Sequence, residues 1–412
     1  MLQSRRASHS AGRRRSGYTM RPAAAEMLRA LLVVVATARL SLQESQSSVQ
    51  AVTKLSNSLV PKLFQALSPG RDNLVLAPFG VASAAGILLE AASGDTAREL
   101  HHALGIAQAE RQALRDGFKA YFDTFEHSAE SLTDEAAGAF SMATVHTPGL
   151  LSPQYKQLLT QFYRVNVTDA AAGDPPHGAQ ALEIRTDAGV LSHWRDLERT
   201  GTLAFLSPQQ TTLFQRSGRV GDTVVVPMVP HLGLFRSGRV APLACTAIEL
   251  PLKVGTFNLL ILLPDAPDHI DELLVKLPGV SFQQLPHWLT YAETEVSLPQ
   301  FTALSSGLDL TPFMKQLGVR SLFNASAAEL GFASASGAPP LYVKSITQDA
   351  FFSASYVAVN SVGAVSSHMG TKRPKREVTR FFVDQPFLFF LLHRDTQLVL
   401  LAGKVQNPTQ VP

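Results

Sequence analysis

Few residues in this 412-residue chain have types and spacings that could carry catalysis. Asp271 and Glu272 are neighbours on one segment. Two carboxylates so placed cannot flank a substrate, and they read as acids at the start of a helix. His101 and His102 are also adjacent, so on a helix they face different ways, cannot chelate one ion together, and read as solvated. The chain holds no G-x-S-x-G elbow, Walker loop, G-x-G-x-x-G fingerprint, H-E-x-x-H or C-x-x-C pair. Its single cysteine, Cys245, reads as a small buried hydrophobe. These absences disfavour an enzyme, and no metal or cofactor is expected. What stands out instead is KRPKR, Lys372–Arg376. Together with Arg380 it places five basic residues within nine positions. The cluster follows residues 353–371, SASYVAVNSVGAVSSHMGT, a run without charge or proline whose small and β-branched side chains suit a strand. A strand belongs in a sheet and a basic cluster belongs in water, so the junction needs an explanation.

The elements that could hold such a segment begin with helices. VQAVTKLSNSLVPKLFQAL (49–67) and FGVASAAGILLEAA (79–92) carry helical apolar spacing, the second closed by a Gly94-Asp95 turn. TARELHHALGI follows, then a polar helix near 107–128. From about Thr212 strand patterns dominate: TVVVPMV, ACTAIELPL, FNLLILLP and AETEVSLPQF. Helices followed by runs of strands, without regular βαβ alternation, predict an α+β fold with largely antiparallel sheets. DAAAGDPPHGAQ (169–180) reads as a loop. The near-identical peptides FQRSGRV (214–220) and LFRSGRV (234–240) both read as Ser-Gly turns between strands, their arginines solvated. FFVDQPFLFFLLHRDTQLVLLAGKV (381–405) reads as a buried hairpin joined across His393 to Thr396.

Composition narrows the setting. Hydrophobic residues make up 45% of the chain, ample for a core, and the net charge of +3 gives no nucleic-acid footprint. The first 21 residues hold six arginines and no acid. They lead into the apolar run Met27–Ala38, which ends in the small-x-small pattern Ala36-Thr37-Ala38. That run is too short to span a bilayer comfortably and reads as a secretory leader, with residues 1–38 removed and 39–412 forming one domain. A secreted, extracellular protein without disulfides must rely on a large core. Two sequons, Asn166-Val-Thr168 and Asn324-Ala-Ser326, fit glycosylation in that setting.

Taken together, several runs resemble the serpin family of serine protease inhibitors, with wording closest to the plasminogen-activator-inhibitor branch. They are LVLAPFGVASAAGILLEAASGDTARELHHALG (74–105), IELPL with FNLLILLPD, VSLPQF, LDLTPFMKQLGVRSLF, PLYVKSITQ, and DQPFLFFLLHRDTQLVLLAGKVQNP. They stand in the family's order and near its spacing over most of residues 50–410. The resemblance implies a serpin fold with an exposed reactive-centre loop at about 357–382, the junction singled out above. It further implies a monomeric suicide substrate whose loop is cut by a trypsin-like serine protease, the part before the cut then inserting into the main sheet. The expected scissile bond is Arg376-Glu377, with Lys375 and Arg373 as alternative bait. KRPKR also invites a proprotein convertase, and a glycosaminoglycan is a further partner. Neither nucleic acid nor membrane is expected. The hinge falls at Gly363, Ala364, Ser366 and Ser367, with an alternative register near Ala358. With Gly363 as hinge, the inward set is Ala364, Ser366, His368 and Gly370, since every second residue of a strand enters the core. SVGAVSSHM stands where the family has a glutamate-bearing, alanine-rich run, which opens the alternative of a non-inhibitory carrier or chaperone. The family's long central strand is not recognisable between Thr168 and Phe214, which reads as a main sheet lacking a strand there, through divergence or alternative splicing.

Overall fold

The computed structural model describes residues 22–130, 138–147, 151–169, 180–193, 210–252, 256–355 and 378–410. By contacts the chain divides into Met1–Gln46 and Ser47–Pro412. Of the first unit the structure describes the opening part of helix α1 (Pro22–Leu67). No helix among the described residues is long and apolar enough to cross a membrane.

In the second unit, β1 (Asn73–Leu76) leads into α2 (Pro78–Ala91) and α3 (Gly94–Leu104). Pro78 opens α2, where its missing N–H costs nothing. Every residue of α2 is buried, which its nearly unbroken apolar sequence permits. Helix α4 (Arg111–Glu130) packs Phe118, Tyr121 and Phe122 around Phe79 of α2 at centroid distances of 5.4 to 5.7 Å. Then follow β2 (Gly138–Thr147), α5 (Pro153–Tyr163), β3 (Asn166–Asp169) and β4 (Gln180–His193). The strand-rich half holds β5 (Gln210–Gln215), β6 (Thr223–Val240), β7 (Cys245–Pro251), β8 (Phe257–Pro264), α6 (Ile270–Lys276) and β9 (Thr290–Pro299). It continues with β10 (Thr302–Asp309), α7 (Thr311–Gln316), β11 (Leu341–Ser355), β12 (Thr379–Phe382), β13 (Phe387–His393) and β14 (Val399–Val405). Asp271 and Glu272 do sit in the first turn of a helix, α6.

Two sheets result. The larger has nine strands in the order β1-β14-β13-β8-β7-β6-β9-β12, with β5 also on β6. The smaller has five, β10-β11-β4-β2-β3. Most neighbours are antiparallel, and the parallel pairs are β11 with β4, β2 with β3, and β12 with β9. The C-terminal hairpin is as the sequence predicts: β13 and β14 pair antiparallel and all fourteen of their residues are buried. The core lies between the two sheets, where Phe352 of β11 meets Phe389 of β13 at 4.8 Å and both meet Phe301 at 5.5 Å.

Two expectations need correction. The Ser-Gly peptide at 216–219 does turn between β5 and β6, but its copy at 236–239 lies inside β6. There the glycine serves close approach: a Cβ on Gly238 would stand 2.1 Å from the Trp288 carbonyl oxygen. The arginines around it are paired, half-buried Arg236 with Glu249 at 3.1 Å and exposed Arg239 in a two-pronged contact with Asp265 at 2.6 and 2.7 Å. The second correction concerns the strand expected to be missing. β4 occupies the middle of the five-stranded sheet, antiparallel to β2 and parallel to β11. Leu182, Ile184, Ala188 and Val190 face the core and fix it there.

Candidate functional site: the parallel seam of the five-stranded sheet

β11 ends at Ser355, and the chain resumes at β12 after residues 356–377. Arg373, Lys375, Arg376 and Glu377, the hinge positions Gly363, Ala364, Ser366 and Ser367, and the alternative hinge at Ala358 all lie outside the described residues. Both anchors of that segment are described. At one end Ser355 pairs with His193 in the middle of the five-stranded sheet. At the other, β12 pairs with β9 along the edge of the nine-stranded sheet, where Arg380 Nε meets Glu295 Oε2 at 3.2 Å.

The register on β11 decides where a continuing strand could go. β11 pairs antiparallel with β10 and parallel with β4, from Leu341↔Gln180 to Ser355↔His193. A strand that turned back after β11 would run antiparallel to it. Between β4 and β11 it would find two antiparallel partners and replace one parallel ladder, the weaker kind per residue.

Polar side chains cross this seam near its middle. On the inner face, fully buried Gln348 accepts a hydrogen bond at Oε1 from Ala77 N (2.9 Å) and donates from Nε2 to Ala77 O (3.0 Å) and Thr186 Oγ1 (3.4 Å). Thr186 in turn donates to Thr347 O at 3.4 Å. Gln348 thus ties β11 both to β4 and to Ala77, the residue just before α2. One residue further on, the outer face carries ions. Arg185 Nε lies 3.0 Å from Asp187 Oδ1 and 2.9 Å from Asp349 Oδ2 across the seam. Asp187 and then Asp349 raise the Arg185 pKa above its ordinary value. Lys344 and Glu183 also join across the seam, at 2.7 Å. Toward the Ser355 end, Gly189 lets the Phe140 and Phe351 rings close over it: a Cβ there would sit 2.8 Å from Phe140 and 3.4 Å from Phe351. Sequence reasoning overlooked Gln348, although it ends the quoted motif PLYVKSITQ. A lone amide at an inward position of an apolar strand is the signal that marks it.

A sequence model of the family described as "Serpin (serine protease inhibitor)" matches residues 51–183 and 206–408. The chain belongs to the serpin family. Human leukocyte elastase inhibitor (Homo sapiens) is 30% identical over 197 residues, covering 45% of this chain and 50% of that protein. The chain thus spans about half the length of the first curated relatives it matches. Human Serpin I2 (Homo sapiens) is 24% identical over 393 residues, covering 89% of this chain and 93% of that protein. Among solved structures, native protease nexin-1 with heparin superposes with a TM-score of 0.68 at 22% identity, covering 87% of this chain and 100% of the other. That likeness shows the shared fold. The family match skips 184–205, so most of β4 in this serpin falls where the family pattern is not met.

The remaining candidates in this serpin fall out as follows. Cys245 is buried, and burial pushes its thiol pKa up to about 12, which makes it inert. Among the described residues no group of His, Cys, Asp or Glu could hold a metal ion. His101 is half-buried, with Nδ1 3.0 Å from Ile106 O, while His102 is exposed. Both sequon asparagines are exposed, Asn166 at the start of β3 and Asn324 beyond α7. Asn324 Oδ1 accepts from Ser326 N at 3.0 Å, and Thr168 Oγ1 lies 2.5 Å from His146 Nδ1.

Proposed function

We propose that this serpin is a secreted suicide-substrate inhibitor of a trypsin-like serine endopeptidase, cut at Arg376-Glu377. The observation that carries the reading is the parallel β4–β11 ladder, from whose open end the candidate loop continues. The protease's serine hydroxyl adds to the Arg376 carbonyl carbon. The bond to the Glu377 nitrogen breaks, that nitrogen takes the proton, and Arg376 is left esterified to the protease. Gly363 through Arg376 is as long as the 14 residues of β4, so an inserted strand of that length spans the seam from end to end. Insertion drags the esterified protease with it, and deacylation stops once base and oxyanion hole lose their register. An acidic specificity pocket in the protease suits the basic bait.

Secretion rests on the Met27–Ala38 run, and the two exposed sequons support it. Heparin, present with protease nexin-1, is the glycosaminoglycan to try first. On α4 and just after α5, however, Arg115, Lys119 and Arg164 are already matched by Glu90 and Asp123, so a weak effect is expected.

The test is incubation of the secreted chain with trypsin, followed by denaturing electrophoresis. The expected product is a detergent-resistant band carrying both proteins, absent from Arg376→Glu. Clean cleavage without such a band would instead support the carrier or chaperone reading, which the unusual hinge sequence SVGAVSSHM favours.

A further inference from the structure

The outer-face contact at the middle of the seam has an unusual partner arrangement. Arg185 Nε carries a single N–H, and it faces Asp187 on its own strand (3.0 Å) and Asp349 across the seam (2.9 Å). Asp349 is likewise shared. Its Oδ1 accepts from Ser306 Oγ at 2.7 Å and from Gly307 N at 2.8 Å, both on β10. Arg185 and Asp349 therefore face each other across the seam while Arg185 has one further partner on its own side and Asp349 has two.

Adjacent strands lie about 4.8 Å apart, so a strand entering between β4 and β11 roughly doubles their separation and puts Asp349 beyond the reach of Arg185. Neither charge is then stranded. Arg185 keeps Asp187, and Asp349 keeps Ser306 and Gly307. The entering segment Gly363–Arg376 brings no charge as far as Thr371, and its four basic residues all lie in its last five positions. Most ionic locks across a sheet would oppose opening by the cost of leaving charges bare. Here that cost is removed in advance, and what is left is the modest value of one partly exposed ion pair.

We propose that Arg185 is a positioning residue that sets the rate at which the β4–β11 seam opens, through competition between Asp349 across the seam and Asp187 within β4. The proposal rests on the reading above that this seam receives the cleaved loop. Lys344 with Glu183 adds a second, more exposed cross-seam pair toward the far end, so added salt favours opening at both places.

The competition predicts opposite effects for two substitutions on the same strand. Arg185→Gln removes the cross-seam contact and speeds opening. Asp187→Asn removes the alternative partner, commits Arg185 to Asp349 and slows it. Opening is read without any protease, by adding a synthetic peptide with the sequence of residues 353–371 to the intact full chain. Uptake is followed as a shift in native electrophoresis and a rise in melting temperature. The expected result is uptake about three- to fivefold faster for Arg185→Gln and about twofold slower for Asp187→Asn, as for an ion pair of ordinary strength. Raising NaCl from low to high should speed the wild type and change Arg185→Gln less. Faster uptake by both variants, unchanged rates, or no uptake by any of the chains overturns the proposal. Failure to trap trypsin while the peptide rates still move in opposite directions would sink the inhibitor reading and leave the clasp standing. Trapping of trypsin with unchanged peptide rates would do the reverse.

Discussion

The two sheets of this serpin are held together by different physics. In the nine-stranded sheet the central strands β13 and β14 are buried at every position and β8 at all but one, and their contacts are almost wholly aliphatic and aromatic. In the five-stranded sheet β10 alternates between buried and exposed, and the β4–β11 seam is crossed by Gln348, Thr186, Arg185 and Asp349. Apolar burial is non-directional and offers nothing in exchange when it is undone. Hydrogen bonds and ion pairs are directional and can be re-made with another partner. The first sheet is built to stay, and the second carries at its middle the kind of contact that a new strand can replace.

The largest effect should come from damaging the permanent sheet. Phe389 is fully buried, in tilted ring contact with Phe352 and Phe301 between the sheets. Phe389→Ala should cost about 3–5 kcal/mol, the usual toll for emptying an aromatic site in a core. Chemical denaturation of the two chains measures it. A loss comparable to that at half-exposed Leu304 on β10 would erase the contrast between the sheets.

Next comes the seam itself. Gln348→Leu keeps the volume but leaves the buried Ala77 N–H without its partner, while the Ala77 C=O still accepts from Val81 N at 3.1 Å. The expected cost is roughly 1–3 kcal/mol, the penalty for an unpaired buried polar group. The same substitution should speed peptide uptake by the seam, because one of the links between β11 and the helix face disappears. A chain destabilised to this extent but with unchanged uptake would show that the inner-face network holds α2 in place and does not control the seam.

The same contrast governs what could be read from the sequence. β8 and the C-terminal hairpin are legible because strands buried on both faces appear as unbroken apolar runs. β4, QALEIRTDAGVLSH, is not. It mixes small residues with outward-facing Arg185 and Asp187, and its place comes from partners distant in sequence, β2 and β11. A strand whose identity depends on its neighbours leaves only a weak local signal, which is why this stretch read as a missing one. The copy of the Ser-Gly peptide in β6 misled for a related reason, since a glycine that admits the Trp288 carbonyl looks locally like a glycine that turns. The β4–β11 seam was not legible either, because Gln348 and Thr186 lie far apart in sequence and acquire meaning only in register.

The smallest effect sharpens the comparison from the other side. The buried centre of the nine-stranded sheet, away from the ion pairs Arg236–Glu249 and Arg380–Glu295, should respond little to salt, but it contains an acid-sensitive point. His393, the last residue of β13, is 7% exposed. Its ring lies between Tyr121 and Phe257 at 5.8 and 5.7 Å, and Nδ1 is 3.0 Å from Thr396 Oγ1. Thr396 Oγ1 also accepts from the Tyr121 hydroxyl at 2.7 Å, which ties the hairpin turn to α4. Burial lowers the His393 pKa below its ordinary value of 6.5, with Asp395 opposing and Arg394 adding to the shift. A proton therefore binds the unfolded chain more readily than the folded one. The stability linked to His393 is present above the unfolded value and is lost as pH falls from there through the lowered folded value. Thermal melts from pH 7.5 to 5 should fall more steeply for the wild type than for His393→Gln, while both respond alike to salt. Equal slopes in acid would place the sensitivity elsewhere among the twelve histidines. A large salt effect confined to the wild type would mean that the apolar sheet also depends on ions, and the division of labour between the two sheets would be lost.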